Sequence, residues 1–352
     1  MKMPTIDADA HVLETPKTWS YMRDSEKAFR PLLFVRDSSD DAGDYQKIGR
    51  ELWVIDGKLQ HKSNVGKNVP PEARDMIDIN RRLAHMDEVG IDVQVLFPTL
   101  FLRPLTTEPD VEFALSRSYN RWMAEIWQHS KERMRWVAVP PLLSLTDPAM
   151  VREELEFCKA NGACGIFLRG MECERLLSHR YFFPLYKMAQ ELDLALSLHA
   201  GINSFGVHNT MPHEASLVLF RFPVIGAFSS LLEDEIPKRF PGTRWGFIEA
   251  SAQWVPYIMG EVKIRLARKG MRMPDGLIEE SRFFITTQKT DDLPWLLSEI
   301  GDDSLIIGTD YGHKDSAAEV EALQRLAQDG DLPAETVKKI LQRNPGKLYA
   351  IS

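Results

Sequence analysis

Ile6-Asp7-Ala8-Asp9-Ala10-His11-Val12 reads as a short strand that carries two side chains able to bind a metal. Side chains alternate along a strand, so Asp9 and His11 project to the same side. Two later apolar runs, Leu196-Ser197-Leu198-His199 and Ile306-Ile307-Gly308-Thr309-Asp310, finish in the same kind of residue. Together Asp9, His11, His199 and Asp310 define one candidate divalent-metal site.

Outward from that site, eight β-rich runs recur, at 5–11, 93–98, 136–140, 165–168, 194–199, 245–249, 283–286 and 305–310. Each is mostly apolar, as expected of strands buried on both faces. Helix-like patterning fills the spaces between them, for example at 147–161, 182–192, 251–269 and 315–329, and Asp147-Pro148 suits a helix start. Eight alternations predict a closed parallel α/β barrel in a single domain, 1–352. The stretch 15–71 fits neither pattern; Trp53-Val54-Ile55-Asp56-Gly57-Lys58 within it reads as a hairpin with an Asp-Gly turn. An insertion after the first strand lies over the C-terminal face of a barrel, as a lid or a subunit contact, or packs on its side.

The chain has 352 residues, 44% hydrophobic and 27% charged, which suits a globular protein and argues against disorder. A net charge of −8 and no run of Lys or Arg leave no surface for a phosphate backbone, so nucleic acid is not an expected partner. Asp7 and Asp9 stand where a signal peptide needs an apolar stretch, and no apolar run approaches the roughly 20 residues of a membrane span. The expectation is a cytoplasmic protein with no membrane partner. Cys158, Cys164 and Cys173 are odd in number and lack a C-x-x-C spacing, and read as reduced packing residues.

Zinc, manganese and iron accept mixed imidazole and carboxylate ligands, and a catalytic site keeps a position open for water or substrate. Asp9, His11, His199 and Asp310 fall at the C-terminal ends of predicted strands one, five and eight, which converge on one barrel mouth. Glu249, ending strand six, could hold a second metal or accept a proton, or else serve a helix cap or pair with Arg169. Glu14 lies just past strand one, either within reach of the metal and substrate or in a structural role. Arg169, after strand four, offers a fork for a substrate carboxylate or oxyanion. His208 and His213 occupy the glycine-containing loop after strand five, over the site or in solvent. His313 is placed to support the metal ligands or shuttle a proton, and Asp315 to cap the next helix.

Five stretches carry a resemblance: Asp7 to Glu14, Leu83-Ala84-His85-Met86-Asp87-Glu88-Val89-Gly90-Ile91-Asp92, Leu198-His199-Ala200-Gly201, Trp254-Val255-Pro256-Tyr257, and Gly308-Thr309-Asp310-Tyr311-Gly312-His313. As a set they resemble the amidohydrolase-related group of the metal-dependent hydrolase superfamily, which includes aminocarboxymuconate semialdehyde decarboxylase and the resorcylate decarboxylases. The resemblance implies a distorted (β/α)8 TIM barrel with its metal on Asp9, His11, His199 and Asp310. Many members carry His-x-His on strand one and His at strand six, where this chain has Asp9 and Glu249. A more oxygen-rich set shifts preference from zinc toward manganese or iron, with one metal or, through Glu249, two per chain.

The expected function is metal-dependent hydrolysis of a small carboxylate-bearing or carbonyl substrate by a metal-activated water, with Asp310 as base. Three alternatives stay open: non-oxidative decarboxylation of an aromatic or unsaturated acid, dinuclear iron or manganese oxygenase or thioesterase chemistry, and a non-catalytic subunit of a paralogous complex. The insertion and the exposed-looking Trp19, Tyr21 and Trp53 suggest a homodimer or homo-oligomer.

Overall fold

The computed structural model describes residues 3–35, 51–62, 64–130, 132–204, 217–314, 317–328, 330 and 332–352. Eight strands run in chain order around a parallel sheet: β1 (Ile6–Val12), β2 (Val93–Pro98), β3 (Met134–Ala138), β4 (Ala163–Arg169), β5 (Ala195–His199), β6 (Trp245–Ile248), β7 (Phe283–Thr287) and β8 (Leu305–Ile307). A helix follows each strand: Ile79–Glu88, Pro109–Ser130, Pro148–Ala160, Phe183–Glu191, Phe222–Glu233, Val255–Arg268, Leu293–Ile300 and Ala322–Gln328. Ala10 pairs with Tyr311 across the remaining gap, and the Asp9 carbonyl accepts the N–H groups of Thr309 (3.1 Å) and Asp310 (2.9 Å). The architecture is the expected (β/α)8 barrel.

Departures from the expected strand bounds have local causes. β3 ends at Ala138 rather than at 140, because Val139 donates its N–H to Asn120 Oδ1 and accepts at its carbonyl from Asn120 Nδ2, and Pro140-Pro141 has no N–H to donate. β8 ends at Ile307 rather than 310. Gly308 there lies so close to β1 that an added Cβ would sit 2.3 Å from the Asp9 Cβ, and Asp310 takes a left-handed φ of 50°. The expected 315–329 helix is described only as Ala322–Gln328, with Asp315 outside the described residues. Asp147 stands at a helix start with Pro148 behind it, but its side chain makes no capping bond.

The insertion forms two short 3-10 turns, Pro16–Tyr21 and Asp24–Phe29, and an antiparallel sheet of Leu32–Val35, Glu51–Ile55 and Lys58–His61. Asp56 and Gly57 turn the hairpin with φ of 49° and 70°, the left-handed pair a two-residue turn of this kind needs. Trp19 and Trp53, expected to be exposed, are each 1% exposed and meet edge to face, with Trp19 also against Phe101 beyond β2. At the opposite end of the barrel, the helix Asn344–Tyr349 packs across the strands and Tyr349 donates to the Ala8 carbonyl of β1. Among the described residues no helix is long and apolar enough to cross a membrane.

Replacing Gly308 with Ala forces β8 away from Asp9. The expected cost is about 1–3 kcal/mol of stability, as for overpacking elsewhere, read as a lower melting temperature, accompanied by weaker metal uptake. A variant with wild-type melting and metal content would show that the seam tolerates a methyl group.

Candidate metal centre

A bulge shapes the first strand. Asp7 pairs with Gln94 and Ala10 with Leu96, so Ala8 and Asp9 together oppose the single residue Val95. Asp7 therefore follows Gln94 to one side, while Asp9 and His11 join Phe97 on the other, where the Phe97 ring meets both His11 and His199. Plain alternation would have put Asp7 and Asp9 on one face.

Inside the mouth, His11 Nε2 lies 3.1 Å from His199 Nε2, 3.4 Å from Asp9 Oδ1 and 3.4 Å from Asp310 Oδ1. His199 Nε2 lies 3.2 Å from Asp9 Oδ1. Both rings are fully buried, and the two aspartates nearly so. His11 Nδ1 faces the Pro98 carbonyl at 3.2 Å and His199 Nδ1 the Ala200 carbonyl at 2.7 Å. A carbonyl only accepts, so each Nδ1 carries the ring proton and each Nε2 turns a lone pair toward the cluster. Lone pairs and a carboxylate oxygen at this spacing repel unless a cation joins them. Donors sharing one ion at roughly 2.0–2.2 Å lie about 3.0–3.5 Å apart, which is the spacing of Asp9, His11 and His199, so these three fit a divalent metal, while Asp310 forms a second group with His11 and His313.

His313 supports the cluster from beyond β8. Its ring stacks on His11 with centroids 3.8 Å apart, its Nδ1 lies 2.7 Å from Asp310 Oδ1, and its Nε2 lies 2.8 Å from Thr99 Oγ1. Burial, with His11 and His199 nearby, pushes its pKa well below the usual imidazole value, so the ring is neutral. Thr99 was not among the residues singled out from sequence. It binds through a loop whose position depends on the fold.

The remaining sequence-predicted residues separate from the cluster. Glu249 Oε2 reaches His199 from the Nδ1 side, 3.4 Å away, on the ring edge opposite the Nε2 donor. It has a left-handed φ of 61°, with its N–H on Thr286 Oγ1. Glu14 turns both carboxylate oxygens to backbone, accepting from Thr99 N (3.1 Å) and Leu100 N (2.9 Å); burial pushes it up to about 7. Those bonds place it as a cap on the turn after β2 rather than at the metal. Arg169 pairs not with Glu249 but with Glu172, three residues on, through both guanidinium and backbone N–H. His208 and His213 lie outside the described residues.

Beside the cluster a cavity of about 190 Å³ opens over the ends of β2 to β5. Its walls include Phe101, Leu105, Phe167, Arg103, Arg169 and Glu112. Phe167 belongs to both regions, its ring 6.3 Å from that of His199.

A family model described as amidohydrolase matches residues 6–351. The chain belongs to the amidohydrolase family. No curated protein matches this amidohydrolase in sequence. Among solved structures, an amidohydrolase of Mycobacterium avium subsp. paratuberculosis is 19% identical with a TM-score of 0.78, over 99% of this chain and 100% of the other. A dihydroxybenzoic acid decarboxylase of Polaromonas sp., with bound manganese and the inhibitor 2-nitroresorcinol, is 18% identical with a TM-score of 0.68, over 99% and 98%. A 4-oxalomesaconate hydratase of Rhodopseudomonas palustris is 18% identical with a TM-score of 0.63, over 99% and 96%. These likenesses show a shared fold.

Metal analysis by plasma mass spectrometry tests the donor set. His199→Ala should retain less than about a tenth of the wild-type metal while keeping a barrel-like circular dichroism spectrum. Glu249→Ala should leave the stoichiometry at one ion per chain. Two ions in the wild type, falling to one in that variant, would place Glu249 among the ligands.

Proposed function

We propose that this amidohydrolase removes a carboxyl group, without oxidation, from a small aromatic or unsaturated acid at a mononuclear metal centre. The observation that carries the reading is the buried 2.7 Å approach of His313 Nδ1 to Asp310 Oδ1. Thr99 Oγ1 donates to the Val12 carbonyl (2.8 Å), so it accepts from His313 Nε2–H. A neutral ring then turns its Nδ1 lone pair toward the Asp310 carboxylate, 2.7 Å away. A proton taken up between those two atoms would resolve the clash, at a place buried from bulk water.

Asp9, His11, His199 and Asp310 would hold the metal, which as a Lewis acid neutralises substrate oxygens and lowers the pKa of a bound water. The chain's own residues supply the rest. Decarboxylation breaks the bond to the carboxyl carbon, carbon dioxide departs, and the electron pair left on the substrate carbon takes the Asp310–His313 proton. The rings of Phe101 and Phe167 give the cavity an apolar wall. A cavity of roughly 150 Å³ holds a benzene ring, so 190 Å³ suits a one-ring or similarly small acid. Arg103 brings a guanidinium to that wall for an anionic group. The manganese-bound dihydroxybenzoic acid decarboxylase of the same fold supports the reading.

Hydrolysis is the second reading, because the same donors activate a water equally well and a solved neighbour of this fold is a hydratase. Glu249, on the far side of His199, argues against a dinuclear centre.

Turnover of dihydroxybenzoates and small unsaturated acids in H₂¹⁸O separates the readings. Carbon dioxide release with no label bonded to the product skeleton is expected; label incorporated with no loss of carbon would replace decarboxylation by water addition or hydrolysis. Asp310→Asn should lower kcat by about 10²–10⁴-fold. Burial, aided by Glu172, pushes Glu112 up to about 8, so the cavity gains a negative charge above that pH. KM for an anionic substrate should therefore rise above about pH 8, and Glu112→Gln should abolish the rise. An unchanged pH profile in that variant would remove Glu112 from substrate recognition.

A further inference from the structure

Arg82, on the helix Ile79–Glu88, is fully buried behind the metal centre. Burial lowers its pKa to about 10, which leaves the guanidinium charged at neutral pH. A buried charge is costly unless its hydrogen bonds are met, and Arg82 spends its donors on the strand seam. Nη1 and Nη2 both point to the His11 carbonyl at 3.3 Å, and Nη1 also reaches Ala73 O at 3.4 Å. Nε donates to Gln94 Oε1 at 2.7 Å, and the Gln94 amide donates to Asp7 at 3.0 Å. The planar group lies 3.5 Å from the centroid of the Tyr311 ring.

Those partners sit on both sides of the seam that carries the metal donors. His11 is a donor on β1, and Tyr311 directly follows the donor Asp310. The Tyr311 carbonyl takes the His11 N–H at 3.0 Å, and its hydroxyl bonds His85 Nδ1 at 2.7 Å. Asp7 reaches across to the Thr309 N–H (2.9 Å) and hydroxyl (2.6 Å). One guanidinium thus fixes the His11 backbone, the β2 side chain that steadies Asp7, and the ring beside Asp310.

We propose that Arg82 is a positioning residue of the metal centre, setting the separation of the β1 and β8 donors from the outer side of the barrel. The proposal rests on the metal reading of the cluster. A lysine keeps the charge but offers neither a fork for the His11 carbonyl nor a planar face for Tyr311, and so does not replace it.

Wild-type protein, Arg82→Lys and Arg82→Met, each stripped with chelator, are titrated with Mn²⁺ and, separately, with Co²⁺ as a visible-absorption probe. Both variants should bind Mn²⁺ about 10–100-fold more weakly, as when groups behind metal ligands are removed elsewhere, and should shift the Co²⁺ bands. Wild-type affinity and an unshifted cobalt spectrum in either folded variant would overturn the proposal. If Arg82→Met fails to fold, Arg82→Lys decides. A wild-type protein that takes up neither ion would instead overturn the metal reading on which the proposal rests.

Discussion

Everything at the mouth depends on the contact of β8 with β1. The Asp9 carbonyl takes two successive N–H groups from Thr309 and Asp310, and Gly308 lets the two backbones meet with no side chain between them. Residues about 300 apart in sequence must meet before His11 has Asp310 beside it. The helix Asn344–Tyr349 reinforces the meeting from below through the Tyr349 bond to Ala8. The cluster therefore depends on barrel closure, and it lies where β1 and β8 approach most closely. Asp310 accepts a left-handed backbone to turn out of β8, a conformation Asp tolerates better than most residues.

Electrostatics gives the seam its second constraint. With two imidazole lone pairs and the carboxylate oxygens converging in a dry site, the empty cluster opposes the folding that builds it. A bound cation would reverse the sign, because it stabilises the folded state by an amount that grows with the logarithm of its concentration over its dissociation constant. The backbone carbonyls of Pro98 and Ala200 make this work by fixing the tautomers of His11 and His199. Neither carbonyl carries sequence information, yet together they decide that both Nε2 atoms face inward as acceptors.

The strands were legible because parallel strands buried on both faces are continuous apolar runs. The candidate donors stood out because Asp9 and His11 alternate on the first run and His199 and Asp310 close later ones. What escaped depends on geometry that residue spacing does not encode. The bulge at Ala8-Asp9 divides Asp7 from Asp9 although both fit one alternation. Glu14 was open to a ligand or a structural role by proximity, and two backbone N–H groups after β2 claim it. Arg169 looked available to Glu249 or substrate, but the hairpin Met171–Glu172 with Arg175–Leu176 returns Glu172 to it. Trp19 and Trp53 read as exposed because the insertion's own sheet, which buries them, had no signal beyond one Asp-Gly turn. Arg82 was hidden in an ordinary amphipathic helix, and only the structure shows its charge turned inward.

The centre and the cavity draw on different parts of the barrel. The candidate metal donors come from β1, β5 and the segment after β8, while the cavity walls come largely from the segments after β2, β3 and β4. Substitutions in the walls can therefore alter the cavity without disturbing the seam. Phe167 and His199 are the bridge between the two regions, since the ring of one lines the cavity and lies against the other. A bulkier residue at 167 would reach both, whereas Arg103 and Glu112 act on the cavity alone. That division follows from the closure itself. The seam has no slack to give, so variation in substrate falls to the loops on the other side of the mouth.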